Sequence, residues 1–218
     1  TYRIQRITPD GELVWENNGL QIRAIVRLNR LCEVIADEDN GFFVVLPLAV
    51  ANNRLVFKYD AEGQLCEGWA EEGIEVTVGD WGRLLYDGSG GLWFYNSERY
   101  DNIESFNHLL PDGSLQWDEM QVYVHPNGGI EAFPFAITPA PDGGLYVAFQ
   151  DRFTSRIGLV LMNSEGETVV TGQLGEDIWL PREDEDEPQP FMAIGTDDSG
   201  RLYVILSGGG FCRVAILF

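Results

Sequence analysis

Four carboxylates in a run of five are the residues whose chemistry points most directly to metal binding. Asp184, Glu185, Asp186 and Glu187 lie in the proline-flanked segment PREDEDEPQP, residues 181–190. Carboxylate oxygens are ligands that Ca²⁺ prefers, and loops on rigid scaffolds commonly carry binding sites. Adjacent like charges also repel, and proline cannot donate to a strand ladder, so the pattern favours a solvated loop. We therefore expect no cofactor, with Ca²⁺ or a basic partner bound by these four residues as the alternative.

Two acidic turns are further candidates for cation binding. DEDNG (37–41) and TDDSG (196–200) each bring carboxylates next to a glycine. DEDNG lacks the loop frame and the distal glutamate of an EF-hand. Asp and Asn at hairpin tips form hydrogen bonds to their own backbone, which explains these residues without a metal. We therefore interpret both segments as hairpin turns.

The side chains that catalysis commonly needs are present but form no recognisable set. His108 and His125 are the only two histidines, and two isolated histidines do not predict a zinc site. The G-x-S-x-G motif of serine hydrolases is absent. Gly208, Gly209 and Gly210 are not followed by a helical pattern, so they do not predict a phosphate-binding loop. The sequence therefore predicts no catalytic residues and a protein that is not an enzyme.

The charge balance excludes some classes of partner. The 35 acidic residues outnumber the 14 basic ones for a net charge of −21, and Lys58 is the single lysine. Such a surface repels phosphate backbones and anionic headgroups, so we expect neither nucleic acid nor an anionic membrane as partner. No apolar run approaches the roughly 18 residues of a membrane span, so we expect no membrane insertion.

The three cysteines are far apart and odd in number. Cys32, Cys66 and Cys212 each lie in or beside an apolar segment, and no C-x-x-C spacing occurs. A free cysteine in such a setting behaves as a small hydrophobic residue. We expect buried thiols, with a Cys32–Cys66 disulfide as the alternative.

The positions of all these side chains depend on an internal repeat, and a fixed period of this kind decides the fold. RIQRITPDGELVW recurs as VFKYDAEGQLCEGW, FNHLLPDGSLQW and LVLMNSEGETVV, with turn glycines at 11, 63, 113 and 166. A second series of turns, DEDNG, DGSGG, APDGG and DDSG, has glycines at 41, 91, 144 and 200. In three successive repeats the second-series glycine precedes the first-series glycine by 22 residues, whereas the other interval varies.

Each repeat of about 52 residues contains four strand-like segments. Runs such as GFFVVLPL, GLWFYNS and GLYVAF are rich in β-branched and aromatic residues and are bounded by Gly and Asp, as strands are. We call the four strands a and b, which flank the second-series turn, and c and d, which flank the first-series turn. Four-stranded antiparallel units at this period predict an all-β chain of β-propeller blades, with a stacked solenoid as the alternative.

The repeat also predicts how the chain is divided. We expect one propeller domain, or part of a larger propeller, over residues 1–218. Its divisions would be a partial blade at 1–19, blades near 20–72, 73–124 and 125–180, and a partial blade at 181–218. The opening TYRIQRITPDGELVW would be a c–d hairpin of a continuing array, with strand d directly after the turn.

Tryptophans recur after the c–d turn, at Trp15, Trp69 and Trp117. One interpretation makes them platforms for stacking sugars. We favour the other, in which an aromatic side chain repeated at the structural period packs between adjacent blades.

The repeated sequence motif resembles that of a group of large secreted or surface-anchored bacterial repeat proteins. Their pattern, QRID-x-x-G-x-x-LW-G-x-N-G-V-x-V alternating with D-x-x-GG-x-[IY]-V-x-W, is similar to QRITPDGELVWENNGLQI and EGQLCEGWAEEGIEV here. EGETVVTGQLGEDI has lost the Trp. The resemblance implies a propeller, an extracellular, periplasmic or cell-surface location, and a place in a longer polypeptide, but no catalytic residues.

These observations lead to one expected function and one alternative. We expect a non-catalytic structural or protein-interaction module, whose partners are proteins or the rest of a larger assembly. The alternative is a carbohydrate-binding or glycan-active propeller with its site at the mouth of the tunnel, where paired carboxylates could act.

Overall fold

A computed structural model of the chain shows β-structure throughout the part that it describes. The described residues are 2–15, 19–22, 32–48, 53–78, 82–97, 104–118, 121–123, 132–151, 157–173, 191–197, 199–208 and 211–217. Every regular element in these ranges is a strand. In the same ranges no helix has the length and apolar character needed to cross a membrane.

The strands form antiparallel sheets that follow chain order. A two-stranded pair comes first, consisting of β1 (Tyr2–Ile4) and β2 (Leu20–Ile22). The first four-stranded sheet consists of β3 (Glu33–Ala36), β4 (Phe42–Pro47), β5 (Asn53–Tyr59) and β6 (Ile74–Thr77). The second consists of β7 (Arg83–Tyr86), β8 (Leu92–Ser97), β9 (Glu104–Leu109) and β10 (Gln121–Tyr123).

The remaining strands form two more sheets of the same kind. The third four-stranded sheet consists of β11 (Ala132–Pro139), β12 (Leu145–Asp151), β13 (Ile157–Met162) and β14 (Thr168–Gln173). A three-stranded sheet follows, consisting of β15 (Phe191–Thr196), β16 (Leu202–Gly208) and β17 (Phe211–Leu217). Up-and-down sheets of four strands repeated along a chain are the blades of a β-propeller, so the predicted fold class is confirmed.

Both turn series have the same backbone geometry, which explains their glycines. In each turn the N–H of the first residue donates to the carbonyl four residues later, as from Asp60 to Gln64 at 2.9 Å and from Asp87 to Gly91 at 3.2 Å. The fourth residue takes a positive φ, 81° at Gly63 and 95° at Gly90. Gly91 comes next, and a Cβ there would lie 2.4 Å from the Leu109 carbonyl oxygen. A side chain is therefore excluded at that point.

Strand d does not begin directly after the c–d turn in the Trp-containing repeats, which corrects the sequence prediction. Leu65 makes only an isolated bridge to Tyr59, and the outer strand of the first sheet is β6. That strand ends at Thr77, past the predicted blade limit at residue 72. The Trp segment forms an excursion between the turn and the outer strand. Where the Trp is lost, β14 follows the turn directly.

The chain divides into two compact units. Thr1–Glu98 with Phe106–Met120 forms the first unit, and Arg99–Ser105 with Gln121–Phe218 forms the second. In the first unit, one apolar cluster joins the β1–β2 pair to the first sheet through Ile22, Phe42, Val44, Leu46, Phe57 and Tyr59. Another cluster joins the first and second sheets through Phe43, Val45, Val56, Trp69, Val76, Val78, Leu92, Phe94 and Leu109.

The second unit has its own apolar interior. Strands β12, β13 and β16 contribute fully buried residues, which include Leu145, Val147, Val160, Met162, Leu202 and Val204. The Thr196 hydroxyl donates to the Pro139 carbonyl oxygen at 3.3 Å and so links β15 to the end of β11.

The cysteines differ from expectation in one respect. Cys32 is exposed, Cys66 is half-buried, and both are free thiols. The alternative Cys32–Cys66 disulfide is therefore wrong, and so is the expected burial of Cys32. The side chain of Cys212 lies outside the described part of the chain.

Candidate functional site at the turn end of the sheets

The a–b turn and the c–d turn lie at the same end of each four-stranded sheet. This follows from the antiparallel order, because strand b runs away from the first turn and strand c returns to the second. We call this end of each sheet the turn end. The polar and ionisable side chains that interact with one another in the first unit are concentrated there.

The single lysine lies half-buried at the turn end of the first sheet. Lys58 Nζ lies 3.1 Å from Asp37 Oδ2 and donates to the Gly90 carbonyl oxygen at 2.7 Å. It also lies 5.3 Å from the centre of the Phe43 ring, within cation–π range. The Tyr86 hydroxyl donates to the Asp37 carboxylate and accepts the N–H of Glu38 at 3.3 Å. Lys58 and Tyr86 thus connect the turn of the first sheet to that of the second.

A histidine takes the place of the lysine in the second sheet. His108 Nε2 lies 2.7 Å from Asp87 Oδ2, and its Nδ1 lies 2.7 Å from Gln116 Oε1. The imidazole stacks on Trp93, with ring centres 4.2 Å apart and planes 7° from parallel. Both ring nitrogens therefore have internal partners, and one ring face is covered.

Hydrogen bonding controls the ionisation of the two turn carboxylates. Burial raises the pKa of Asp87, but hydrogen bonds from His108, Ser89 and Gly91 outweigh it, and the pKa is lowered to about 2. Burial likewise raises the pKa of Asp37, and hydrogen bonds from Tyr86 and Lys58 bring the net pKa below its usual value. Burial, followed by the hydrogen bond to Asp37, raises the pKa of Tyr86. Both carboxylates are therefore ionised at neutral pH.

In the three four-stranded sheets the acid and its partner are retained or lost together. Asp37 and Lys58 are 21 residues apart, and so are Asp87 and His108. The corresponding residues of the third sheet are Ala140 and Leu161, so both members are replaced by apolar residues. This pattern is expected for a buried ion pair, since losing one member alone leaves an unpaired charge.

In the last sheet the turn acid has local partners instead. Asp197 Oδ2 accepts hydrogen bonds from Arg201 Nε and from the Tyr203 hydroxyl, each at 2.9 Å. The Ser199 hydroxyl donates to Asp197 Oδ1 at 2.6 Å. Led by the bond from Ser199, these hydrogen bonds lower the pKa of Asp197 well below its usual range.

Polar side chains on strand c, or directly after it, hold two of the repeated tryptophans. Gln5 Nε2 donates to the backbone carbonyl oxygen of Trp15 at 2.8 Å, and Gln5 Oε1 accepts a hydrogen bond from the backbone N–H of Trp15 at 3.1 Å. Asn107, two repeats later, makes the corresponding bonds to Trp117 at 2.9 and 3.4 Å. Phe57 occupies this position in the middle repeat.

Trp15 and Trp69 pack as the period predicted, against the next turn along the chain. Trp69 Nε1 donates to the Pro111 carbonyl oxygen at 3.0 Å. The Trp15 indole lies against Gly63, where a Cβ would come within 3.1 Å of Nε1. Ala61 corresponds to Pro111 in the repeat. Its carbonyl oxygen accepts a hydrogen bond from Arg6 rather than from Trp15. Trp15 Nε1 is buried and has no hydrogen-bond partner within the described residues.

An open cleft of about 320 Å³ lies between the β1–β2 pair and the first sheet. It is lined by aromatic, apolar and polar side chains from both, namely Ile4, Gln5, Arg6, Trp15, Val34, Ala36, Asp37, Asn40, Gly41 and Phe42. Ala36 corresponds in the repeat to Tyr86. The Tyr86 ring packs against Phe43, with centres 6.2 Å apart. Replacement of the tyrosine by alanine leaves space at this junction.

The described residues do not include the sequence-predicted metal residues. Asp184, Glu185, Asp186 and Glu187 lie outside the described part of the chain. Among the described residues, no group of three His, Cys, Asp or Glu side chains could hold a metal ion. In the turns DEDNG and TDDSG, Asp37 and Asp197 bond to backbone and side-chain partners of the protein, as interpreted from the sequence.

Sequence reasoning missed the Asp87–His108 and Asp37–Lys58 pairs. The signal that could have found them is the shared 21-residue spacing, together with the joint loss of both members at Ala140 and Leu161.

Comparison with known proteins adds a likeness of fold. No protein-family model and no curated protein matches the chain. It is similar to the β-propeller domain of the Trilobed protease from Pyrococcus furiosus, at 8% identity and a TM-score of 0.42, over 86% of this chain and 58% of that one. It is also similar to the polysaccharide lyase Uly1, at 15% identity and a TM-score of 0.45, over 86% of this chain and 48% of that one. The chain thus spans about half the length of these two solved chains.

Proposed function

We propose that this chain is a non-catalytic structural and protein-interaction module of a secreted or cell-surface bacterial protein. The observation that carries the proposal is the way in which His108 is used. A general acid or base must reach the proton that it transfers in a bound substrate. Both nitrogens of His108 are instead engaged within the protein at 2.7 Å, and Trp93 stacks on its ring. This supports a turn-fixing role.

The charge at the turn end supports a protein partner with a basic surface. The first sheet exposes a group of carboxylates there, at Glu38, Asp39, Glu62, Glu67, Glu71 and Glu72. Lys58 lies at the same end but is half-buried and paired with Asp37. Complementary charge steers association and selects partners. The secreted or surface location is supported by the resemblance of the repeated sequence motif to that of secreted or surface-anchored bacterial repeat proteins.

Two measurements test the proposal. Incubation with panels of glycoside, ester and peptide substrates should give no turnover, and turnover that disappears in His108→Gln would overturn the non-catalytic role. An oligolysine peptide should bind with an affinity that falls as salt rises, whereas an oligoserine peptide should not bind. The double variant Glu71→Gln/Glu72→Gln should weaken binding, and equal binding of both peptides would contradict the charge argument.

The location is tested by fractionation of the source cells with an antibody against the chain. The proposal expects the protein in the medium or the cell envelope. Recovery in the cytosol alone would overturn this part of the proposal.

A further inference from the structure

One a–b turn carries an asparagine where the others carry glycine. The fourth residue of each a–b turn takes a positive φ, 61° at Asn40, 95° at Gly90, 81° at Gly143 and 79° at Gly200. Asn40 is the only residue other than glycine with a positive φ within the described ranges. Asparagine tolerates this left-handed conformation because its short side chain can form local hydrogen bonds. With Gly41 next in the chain, the first a–b turn contains an Asn–Gly pair.

The fold itself requires the glycine of this pair. A Cβ at position 41 would lie 2.7 Å from the Tyr59 carbonyl oxygen, so no side chain fits there. A bond between the main-chain nitrogen of Gly41 and the side-chain Cγ of Asn40 closes a five-membered succinimide ring. Because Gly41 has no Cβ, its side chain does not obstruct the closure. The pairing of β4 with β5 thus fixes, directly after Asn40, the residue type that hinders this reaction least.

The N–H of Gly41 also lacks a hydrogen bond that other turns of the chain share. In five other turns the N–H of the fifth residue donates to the side chain of the first. These fifth residues are Glu12, Gln64, Gly91, Glu167 and Arg201. In the first a–b turn, Asp37 instead accepts the N–H of Glu38 at 2.8 Å and faces Lys58 Nζ at 3.1 Å. The side chain of Asp37 therefore does not hold the Gly41 nitrogen.

Solvent reaches Asn40, although the neighbouring elements that cover its counterpart are present. Asn40 is exposed, whereas Gly90 is buried. Lys58 Nζ donates to the Gly90 carbonyl oxygen at 2.7 Å. Arg6 corresponds to Lys58 in the repeat, but its guanidinium donates to the Ala61 carbonyl oxygen at 3.3 Å. Water and hydroxide can therefore approach the Asn40 side chain.

We propose that Asn40 is a site of spontaneous deamidation, at which the folded protein modifies its own first a–b turn. Hydroxide removes the N–H proton of Gly41, and the nitrogen attacks Asn40 Cγ. The new N–Cγ bond replaces the Cγ–Nδ2 bond, and the amide nitrogen leaves as ammonia after taking a proton from water. Water then opens the succinimide. Addition at Cγ gives aspartate, and addition at the main-chain carbonyl carbon gives isoaspartate, in which the chain runs through Cγ. This inference is independent of the proposed interaction function.

Both products change the turn. Each adds a negative charge beside Glu38 and Asp39, which are exposed. Isoaspartate also lengthens the main chain within a turn that is closed by the Asp37 N–H and the Gly41 carbonyl oxygen, 3.0 Å apart. We therefore expect the isoaspartate form to hold Asp37 less firmly against Lys58 than the unmodified turn does.

Peptide mapping of the wild-type protein tests the reaction directly. The folded protein is incubated in mildly alkaline buffer and sampled over time, beside a synthetic peptide of residues 37–44. Tandem mass spectrometry of the tryptic peptide 31–54 should show amide-to-acid conversion at Asn40, within an order of magnitude of the rate in the free peptide. The rate should rise with pH, because the deprotonated nitrogen attacks. Protein isoaspartate methyltransferase should methylate the same peptide.

Two residues provide the controls. Asn40→Gly copies the turn of the second sheet and should abolish both the conversion and the methylation. Asn163 precedes a serine, and its side-chain nitrogen donates to Glu167 at 3.3 Å, so it should keep its amide over the same period. Retention of the Asn40 amide in the folded protein while the free peptide reacts would overturn the proposal. So would conversion of Asn163 as fast as that of Asn40.

The consequence for the turn is measured on the separated products. The isoaspartate form, isolated by anion exchange, should unfold at a lower urea concentration than the unmodified protein. Asn40→Asp adds the charge without lengthening the main chain, so it should shift the midpoint less. Equal midpoints of Asn40→Asp and the isoaspartate form would show that the length of this turn does not matter, which would contradict the expected loosening at Asp37.

Discussion

His108 Nε2 lies 2.7 Å from Asp87 Oδ2, at the place where Lys58 Nζ approaches Asp37 one repeat earlier. In both repeats the base contacts an aromatic ring of strand b, Trp93 in one and Phe43 in the other. The two repeats thus share an acidic residue at the a–b turn, a basic residue at the end of strand c, and an aromatic residue on strand b. The turn end of each of these two sheets is thus fixed by a buried polar group that the third sheet does without.

Removing the charge of Asp87 should destabilise the first unit. Its carboxylate accepts bonds from His108, Ser89 and Gly91, and its pKa is lowered to about 2. This lowering of the pKa corresponds to about 2.5 kcal/mol. We expect Asp87→Asn to reduce the free energy of unfolding in urea by about that amount. Asp10→Asn, at an exposed turn residue, is the control and should change it by less than about 0.5 kcal/mol. A loss at Asp87 no larger than the control would contradict the assignment.

The stabilisation from Asp87 should depend on pH in a defined window. The ordinary pKa of an unfolded Asp is about 3.9, and the folded pKa of Asp87 is about 2. A lowered folded pKa stabilises the protein fully above the unfolded value, and this stability is lost as pH falls through the folded value. The difference in unfolding free energy between wild type and Asp87→Asn should therefore shrink as pH falls from about 4 to about 2. A difference that instead grows on acidification would refute it.

Asp37 and Lys58, whose side chains are 7% and 12% exposed, should be replaceable only as a pair. Removing one partner of a buried ion pair commonly costs about 3–5 kcal/mol, because the other charge is left buried and unpaired. Lys58→Leu and Asp37→Ala should each destabilise strongly. The double variant copies the combination Ala140 and Leu161 of the third sheet, and it should recover much of the loss.

A double-mutant cycle in urea measures this coupling. We expect the two single losses to exceed the loss of the double variant by at least about 1 kcal/mol, as for side chains in direct contact. Strict additivity would show that the two residues act independently. Ser89→Ala combined with Asp37→Ala provides a comparison, because Ser89 bonds to Asp87 rather than to Asp37.

The sequence predicted the blades better than the outer strand within them, and the reason is physical. Turn glycines and alternating apolar runs act locally, so the period identified strands such as β4, β8 and β12 correctly. Strand d depends on a non-local choice, because the segment after the turn either continues as strand, as at Thr168, or leaves the sheet to pack a Trp. In the first sheet the segment leaves the sheet, and Trp69 bonds to the carbonyl of Pro111 in the next turn.

The candidate site was predictable only in part for the same reason. Gly90 and Asp87 are readable as turn residues, but the approach of His108 to Asp87 across 21 positions depends on strand pairing. The cleft beside Ala36 was also invisible to a search for reactive side chains, because it arises from a small residue where the repeat otherwise has Tyr86.

The two tryptophans at corresponding places should respond differently to loss of the indole N–H. Trp69 Nε1 donates to the Pro111 carbonyl oxygen at 3.0 Å, whereas Trp15 Nε1 has no partner within the described residues. Phenylalanine removes the donor and part of the ring in both cases, so the difference between Trp69→Phe and Trp15→Phe isolates the hydrogen bond. A typical buried hydrogen bond contributes about 1 kcal/mol. We expect Trp69→Phe to lower the free energy of unfolding by about that much more than Trp15→Phe, measured by circular dichroism in urea. Equal losses would mean that packing alone, without the bond to Pro111, holds the tryptophan against the neighbouring turn.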